Sequence, residues 1–238
     1  MKIDLLAFGA HPDDIELGAG GTILKEISKG KKVGIIDLTR GELGTRGTAD
    51  DRDREAADSA GILGVEFRAN MCFKDGFFVN DEPHQMALVS YIRKYRPEMV
   101  ICNAIDDRHP DHKKGGDLVS IACFLSGLHR IETYWDDVKQ EAWRPKVVYR
   151  YVQDRYQSPD FVVDISEFME TKMLAVLAFK TQFYNPSSSE PDTAISSKEF
   201  LEFLYGRAIE FGRQAGFKYA EGFNVERYPG VDSLFDLK

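Results

Sequence analysis

Short apolar runs alternate along the chain with longer amphipathic stretches. Residues 3–9 (IDLLAFG) are a continuous apolar run bounded by turn residues, the pattern of a strand buried on both faces. Gly18, Gly20 and Gly21 open a helical stretch that runs to about Lys29, and Gly30 stops it as a C-cap residue. Residues 33–38 (VGIIDL) read as a second buried strand, and the polar, glycine-rich residues 39–51 as a loop. A helix over 52–63 then leads to a third short strand over 65–69. Helical periodicity returns over 85–95 and ends before Pro97, followed by a strand over 99–103, a charged turn over 107–114 and an apolar helix over 117–125. Beyond Pro145, strands are predicted over 147–152 and 161–163, and helices over 165–179 and 197–216. The polar run 185–192 (NPSSSEPD) is a loop and not a linker, because both flanking helices need a core to pack on. This rhythm predicts an α/β fold, a mostly parallel sheet with helices on both faces, in a single domain over residues 1–238.

In such sheets ligands bind beyond the carboxyl ends of the strands. Two clusters fall there. Ala10-His11-Pro12-Asp13-Asp14-Ile15-Glu16 follows the first strand, and Arg108-His109-Pro110-Asp111-His112 follows the strand that ends near Asn103. Imidazole and carboxylate are the natural ligands of a catalytic zinc, which takes three protein groups and keeps a fourth position for water. His11, Asp14 and His112 make such a set, on turns whose prolines restrict the residue before them. Asp13 then lies beside the ion without binding it, placed to accept a proton from a water that the ion has made more acidic. A solitary His-Pro-Asp is usually an ordinary surface turn. Two such clusters at strand ends, together holding three of the five histidines, point to one shared site. His84 and His129 have no such company and read as ordinary surface or satisfied residues. The run Gly18-Ala19-Gly20-Gly21 fails the dinucleotide-binding spacing, since Ile23 stands where the third glycine belongs, and an acidic cluster precedes it. Its glycines are expected to let the helix approach the sheet.

Composition narrows the picture. With 238 residues, 43% of them apolar, the chain can bury a substantial core without help from a metal, so a metal here is expected to be catalytic. A formal net charge of −8 argues against general nucleic-acid binding. Cys72, Cys102 and Cys123 form no CxxC pair and read as free thiols suited to a reducing compartment. The first apolar run is broken by Asp4 and too short for a signal-peptide core, and no stretch approaches a membrane span. A cytoplasmic protein without a membrane partner is expected.

The segment AHPDDIELGAGGT (10–22), followed much later by RHPDH (108–112), resembles the LmbE/PIG-L family of zinc-dependent N-acetylglucosaminide deacetylases. TRGELGTRGTADDRDREA (39–56), QFYNP (182–186) and the closing EGF (221–223) carry the similarity over most of the chain. The resemblance implies a Rossmann-like fold without a nucleotide and one zinc ion per chain on His11, Asp14 and His112. It implies Asp13 as the base and His109 as an oxyanion stabiliser, an imidazolium supported by Asp111. Arg52, in an R-x-x-E pattern with Glu55, matches a substrate-contacting arginine. Some members carry a tyrosine two residues before the histidine matching His109; here that residue is Asp107, so no tyrosine role carries over. The GELGTRGT wording is most similar to the bacillithiol-pathway branch, which implies removal of acetyl from N-acetylglucosaminyl malate. Relatives of this kind form homo-oligomers, often hexamers.

The expected reaction is hydrolysis of an N-acetyl amide to acetate and a free glucosamine nitrogen. Arg46, Arg52 and Arg108 are candidates for gripping an anionic aglycone, because guanidinium pairs bidentately with carboxylate. Arg54 reads as a solvated partner of the acidic run around it, and Tyr184, beside Phe183 and Pro186, is a lesser substrate-binding candidate. Other readings stay open: a different N-acetylglucosamine conjugate or a chitooligosaccharide as substrate, a mononuclear non-haem iron enzyme built on the same two histidines and carboxylate, or a sugar-binding module whose metal only orients ligand. The last two leave Asp13 without a task.

Overall fold

A computed structural model describes residues 2–236. Its first half alternates as expected: β1 (Leu5–Gly9), α1 (Asp14–Ser28), β2 (Val33–Thr39), α2 (Ala49–Leu63), β3 (Phe67–Phe73), α3 (Glu82–Tyr95), β4 (Met99–Cys102) and α4 (Pro110–Ser126). A small hairpin, β5 (Tyr134–Trp135) and β6 (Val138–Lys139), precedes β7 (Val147–Tyr151), β8 (Phe161–Asp164), α5 (Met169–Leu177), α6 (Lys198–Ala215) and β9 (Ala220–Val225). The large sheet runs β3-β2-β1-β4-β7-β9-β8, and only β9 opposes the common direction, pairing antiparallel with both neighbours. The mostly parallel α/β sheet read from the sequence is therefore the fold.

Alternation of side chains across the pleat explains why the inner strands are apolar throughout. Leu6 and Phe8 of β1 join Ile36, Leu38, Val100 and residues of α3 and α4 in the core on one face. Leu5 and Ala7 point the other way, to Val33, Ile35, Ile101 and the apolar side of α1. Among the described residues no helix is long and apolar enough to cross a membrane.

Four differences from the sequence reading have physical causes. Helix α1 starts at Asp14, so its glycines lie within it. They do serve close approach: a Cβ on Gly18 would come within 2.2 Å of the Tyr151 ring, and one on Gly21 within 2.8 Å of Ile165. Helix α4 starts at Pro110, with proline in the first turn where no N–H is needed, so most of the expected charged turn is helical. Helix α5 is shorter than the 165–179 pattern and opens only at Met169. Strand β9 (AEGFNV) escaped notice because glutamate, glycine and asparagine disguise it.

Glu221 is polar in β9 for a reason. Its carboxylate, 4% exposed, accepts the backbone N–H groups of Gly21 (2.9 Å) and Thr22 (2.7 Å) inside α1, and Lys172 Nζ at 2.6 Å. The Leu17 carbonyl receives Lys172 Nζ (3.0 Å) and Arg207 Nη2 (2.9 Å). Glu221 and Lys172 are thus paired, Arg207 is held by a carbonyl, and α5, α6 and β9 are locked onto the helix that carries Asp14.

Candidate metal centre and active site

Chain order switches sides between β1 and β4, and both histidine-bearing turns sit at the carboxyl edge beside that switch. They line a cleft of about 290 Å³ together with Asp13, Arg52 and Arg108. His11, Asp13, Asp14 and His112 are each at most 8% exposed, and His109 is half-buried.

The carboxylate of Asp14 stands between two imidazoles, 3.6 Å from His11 Nδ1 and 3.1 Å from His112 Nε2. The first contact is made by Oδ2 and the second by Oδ1; the 3.1 Å spacing at Oδ1 is close to the about 3.3 Å between ligands of a tetrahedral zinc with bonds of about 2.0–2.1 Å. The far nitrogen of each ring is also held by carboxylate: His112 Nδ1 by Asp107 Oδ2 at 2.7 Å, His11 Nε2 by Asp75 Oδ1 at 3.1 Å with Asp111 Oδ2 at 3.6 Å. Metal-ligating histidines are oriented in this way. Ligand atoms of His11, His109 and His112 lie within 4.8 Å of one another, as do those of His11, Asp75 and Asp111. In the second group the carboxylates are already engaged: Asp75 accepts Leu43 N–H, and Asp111 accepts Gly76 N–H and pairs with Lys114. His11, Asp14 and His112 are a set that could hold an ion, with Asp14 Oδ1 beside His112 Nε2.

Electrostatics agree with a cation site. Burial pulls the His11 imidazolium down, but Asp111, Asp14 and Asp75 outweigh it and hold its pKa well above the ordinary value. His112, opposed by burial but supported by Asp14 and Asp107, rises to about 9. Burial pushes Asp14 up, yet the two imidazoles hold it well below the carboxylate range. The buried carboxylates thus demand positive charge, which two protons or one divalent ion can supply.

Asp13 is different. Its carboxyl is 4% exposed, and burial pushes its pKa up to about 7 although Arg52 draws it down. Arg52 Nη2 contacts Asp13 Oδ2 at 3.2 Å and the Pro12 carbonyl at 2.5 Å. Asp13 caps α1 with φ 111° and ψ −25°, a conformation costly for any side-chain-bearing residue, and makes no side-chain cap bond. Beyond its contact with Arg52, its carboxylate has no capping task.

The structure corrects three expectations. First, Asp111 does not support an imidazolium at His109. The His109 Nδ1 accepts the Asp111 backbone N–H at 3.2 Å, so the ring caps α4. Burial and the neighbouring histidines His11 and His112 push its pKa down to about 4, and the positive helix terminus acts in the same sense. A backbone N–H only donates, so the neutral ring carries its proton on Nε2. Second, Arg46 is 4% exposed and turns Nε to the carbonyl of Pro191 (2.8 Å) and Nη2 to that of Glu190 (3.3 Å), pinning the 185–192 loop without lining the cleft. Third, Tyr184 sits in a separate depression beside Leu177 and Lys180. Arg52 lines the cleft but is committed to Asp13. Arg108 lies at the rim with Nε on Asp154 at 2.5 Å, and Arg54 pairs on the surface with Asp51.

Four supporting residues were not read from the sequence: Asp75, Asp107, Asn103 and Gln153. Asp75, Asn103 and Gln153 meet the site across long sequence gaps, whereas Asp107 stands only five residues before His112. The usable signal was position, since Asn103 and Gln153 are polar residues just past the ends of apolar strands β4 and β7.

Comparison with known proteins places these features in company. A family model described as PIG-L, GlcNAc-PI de-N-acetylase, matches residues 6–123, a span that includes both turns. The diacetylchitobiose deacetylase of Thermococcus kodakarensis is 30% identical over 237 residues, covering 95% of this chain and 84% of that protein. The crystal structure of the conserved protein TT1542 from Thermus thermophilus superposes with a TM-score of 0.85 at 33% identity, covering 97% of this chain and 98% of that one. The inhibitor-bound N,N'-diacetylchitobiose deacetylase of Pyrococcus horikoshii shares the fold at TM-score 0.79 and 24% identity, covering 99% and 88%.

Proposed function

The chain belongs to the GlcNAc-PI de-N-acetylase (PIG-L) family, and from that premise we propose that it is a zinc enzyme removing acetyl from an anionic conjugate of N-acetylglucosamine. It is an N-deacetylase of GlcNAc-type substrates, a hydrolase of carbon–nitrogen bonds in a metal-dependent family. The observation that carries the residue assignment is a buried carboxylate with no cap to make, Asp13, next to the His11–Asp14–His112 set.

A divalent ion on that set supplies polarisation of the acetyl carbonyl and a more acidic water. Asp13 takes the proton of the attacking water as its oxygen bonds to the acetyl carbon. The Nε2–H of neutral His109 donates to the oxyanion that develops. Asp13, near neutrality in its pKa, returns the proton to the amine nitrogen as the C–N bond breaks, leaving acetate and a free amine. Arg52 holds Asp13 in place.

For the aglycone, Arg108 commits only Nε to Asp154 and keeps both Nη groups for a carboxylate at the rim. Together with the GELGTRGT segment this supports N-acetylglucosaminyl malate, the bacillithiol-pathway substrate. The test compares acetate release from that compound, diacetylchitobiose and N-acetylglucosamine, with metal analysis of the purified protein and reconstitution by zinc or ferrous iron. The malyl conjugate is expected to give the highest kcat/KM, and Arg108→Ala to lower it by about 10–100-fold, the worth of a charged hydrogen bond. Preference for diacetylchitobiose, indifferent to Arg108→Ala, rejects the anionic aglycone. Oxygen uptake by an iron form without acetate release rejects the hydrolytic zinc site.

A further inference from the structure

We infer that Asn103 and Gln153 form an amide relay that sets the orientation of Asp14 and thereby the affinity of the site for its ion; this rests on the metal reading above. Three strands in succession send a residue from their carboxyl ends to one carboxylate: Asp14 follows β1, Asn103 follows β4 and Gln153 follows β7. Asn103 is 1% exposed and Gln153 3%.

The polarity of the relay is forced. Ala10 N–H lies 2.9 Å from Asn103 Oδ1. A backbone N–H only donates, so the oxygen of Asn103 must face it and the nitrogen must face away. Asn103 Nδ2 then donates to Asp14 Oδ2 at 2.9 Å and to Gln153 Oε1 at 3.2 Å. With its oxygen so occupied, Gln153 presents Nε2 to Asp14 Oδ1 at 2.6 Å. Oδ2 also accepts His11 N–H at 2.9 Å and is filled. One direction of Oδ1 stays open, on the side of His112 Nε2 at 3.1 Å. The relay thus selects which lone pair of Asp14 is offered beside the imidazoles and keeps every other one in use.

The scaffold holds the relay from behind. Arg150, 3% exposed, donates through Nε to the Asn103 carbonyl at 2.7 Å. Gly116 of α4 lies so close that a Cβ there would be 2.6 Å from that carbonyl. These contacts fix the backbone of Asn103, so its side chain starts from one place.

The variants are Gln153→Met, which keeps length and removes the donor, and Asn103→Asp, which keeps an acceptor for Ala10 N–H but turns a second carboxylate oxygen on Asp14. Zinc dissociation constants are measured by chelator competition, with thermal melts of the metal-free proteins. Q153M is expected to weaken zinc by roughly 10–100-fold, and N103D by more, the range of changes behind a metal ligand. Metal-free Q153M should melt close to the parent, and excess zinc should restore its kcat with KM unchanged, which general damage to the fold would not allow. If N103D does not fold, Q153M alone decides. Zinc affinity within about twofold of the parent in Q153M overturns the relay, as does a changed KM at full zinc occupancy, which would make Gln153 a substrate contact. A parent that binds no zinc sinks the metal reading instead.

Discussion

The tripeptide His-Pro-Asp occurs twice at the carboxyl edge of the sheet, as His11-Pro12-Asp13 and as His109-Pro110-Asp111, and the fold puts its two copies to different use. Both turns share one backbone contact, Asp14 N–H to the His11 carbonyl (3.3 Å) and His112 N–H to the His109 carbonyl (3.1 Å). In both, the fourth residue, Asp14 or His112, faces the prospective ion. They part at the helix start. After β4 the helix begins at Pro110, so His109 is the cap and its ring is spent on a backbone N–H. After β1 the helix begins later, at Asp14, so the His11 ring is not used as a cap and Asp13 takes the cap position at positive φ. On the proposed assignment, where the helix starts decides which histidine is offered to the ion and which carboxylate is left to act as base. Asp111, the counterpart of Asp13, is tied to Gly76 and Lys114.

The largest effect is expected from removing what the two turns share. His11→Ala or His112→Ala should abolish stoichiometric zinc and bring acetate release to background; full zinc content in either variant would break the pairing of the turns. The raised pKa values of His11 and His112 also mean that both rings are protonated at pH 7 in the metal-free protein. Ion binding must displace those protons, so apparent affinity should climb with pH up to about 9, where His112 titrates. Calorimetry in buffers of different ionisation enthalpy should count about two protons released at pH 7.

Next come the residues that differ between the turns. Asp13→Asn should keep the ion and lose about 10²–10⁴-fold in kcat, as for a positioned base. The folded-state pKa of Asp13 is raised from 3.8 to about 7. Between those values the folded chain binds more protons at this group than the unfolded chain, so the parent loses stability here as pH rises. The difference in Tm, D13N minus parent, measured without metal, should therefore grow from about pH 4 to about pH 7 and then level off; a flat difference would mean that Asp13 is not desolvated.

How much of this was legible depended on whether the chemistry is local. Both motif turns, the buried inner strands and the parallel architecture could be read because neighbouring residues carry the signal, as in IDLLAFG or HPDD. The helix starts could not. Whether a proline turn becomes helix at its second residue or at its fourth depends on the partners of its ends: at the first turn these come from afar, Asp75 and Asn103, and at the second Asp107 stands just before the motif. Arg46 shows the opposite failure. An arginine in an acidic, glycine-rich segment looks like a ligand grip, yet its partners are two carbonyls about 145 residues later in the chain. Glu221 hid a strand for the same reason, since its polarity answers to Lys172 and to α1.

A smaller effect should separate the two tasks of His109. Asparagine at an N-cap can accept the Asp111 N–H but offers no ring N–H to the cleft. His109→Asn and His109→Ala should both lose about 10²–10³-fold in kcat, the loss expected for one oxyanion donor. Only the alanine variant should lose about 1 kcal/mol of stability as well. Equal stability of the two would show that the ring does not serve as the cap.

The smallest effect tests the backbone itself. Asp13 sits at φ 111° and His109 at φ −83°. Glycine bears positive φ without steric cost, whereas a Cβ does not, and a residue held in such a region stores about 1–3 kcal/mol. Comparing Gly with Ala at each position removes side-chain chemistry from both turns and leaves conformation. At position 13 glycine should be the more stable by about 1 kcal/mol, because relief of strain exceeds the extra chain entropy it releases on unfolding. At position 109, where φ is ordinary, that relief is absent and glycine should hold no advantage of this size. Gly and Ala of equal stability at both positions would mean that the strain at Asp13 is a consequence of its carboxylate contacts with Arg52. Opposite outcomes at the two would tie it to the late helix start, the feature that frees Asp13 for catalysis.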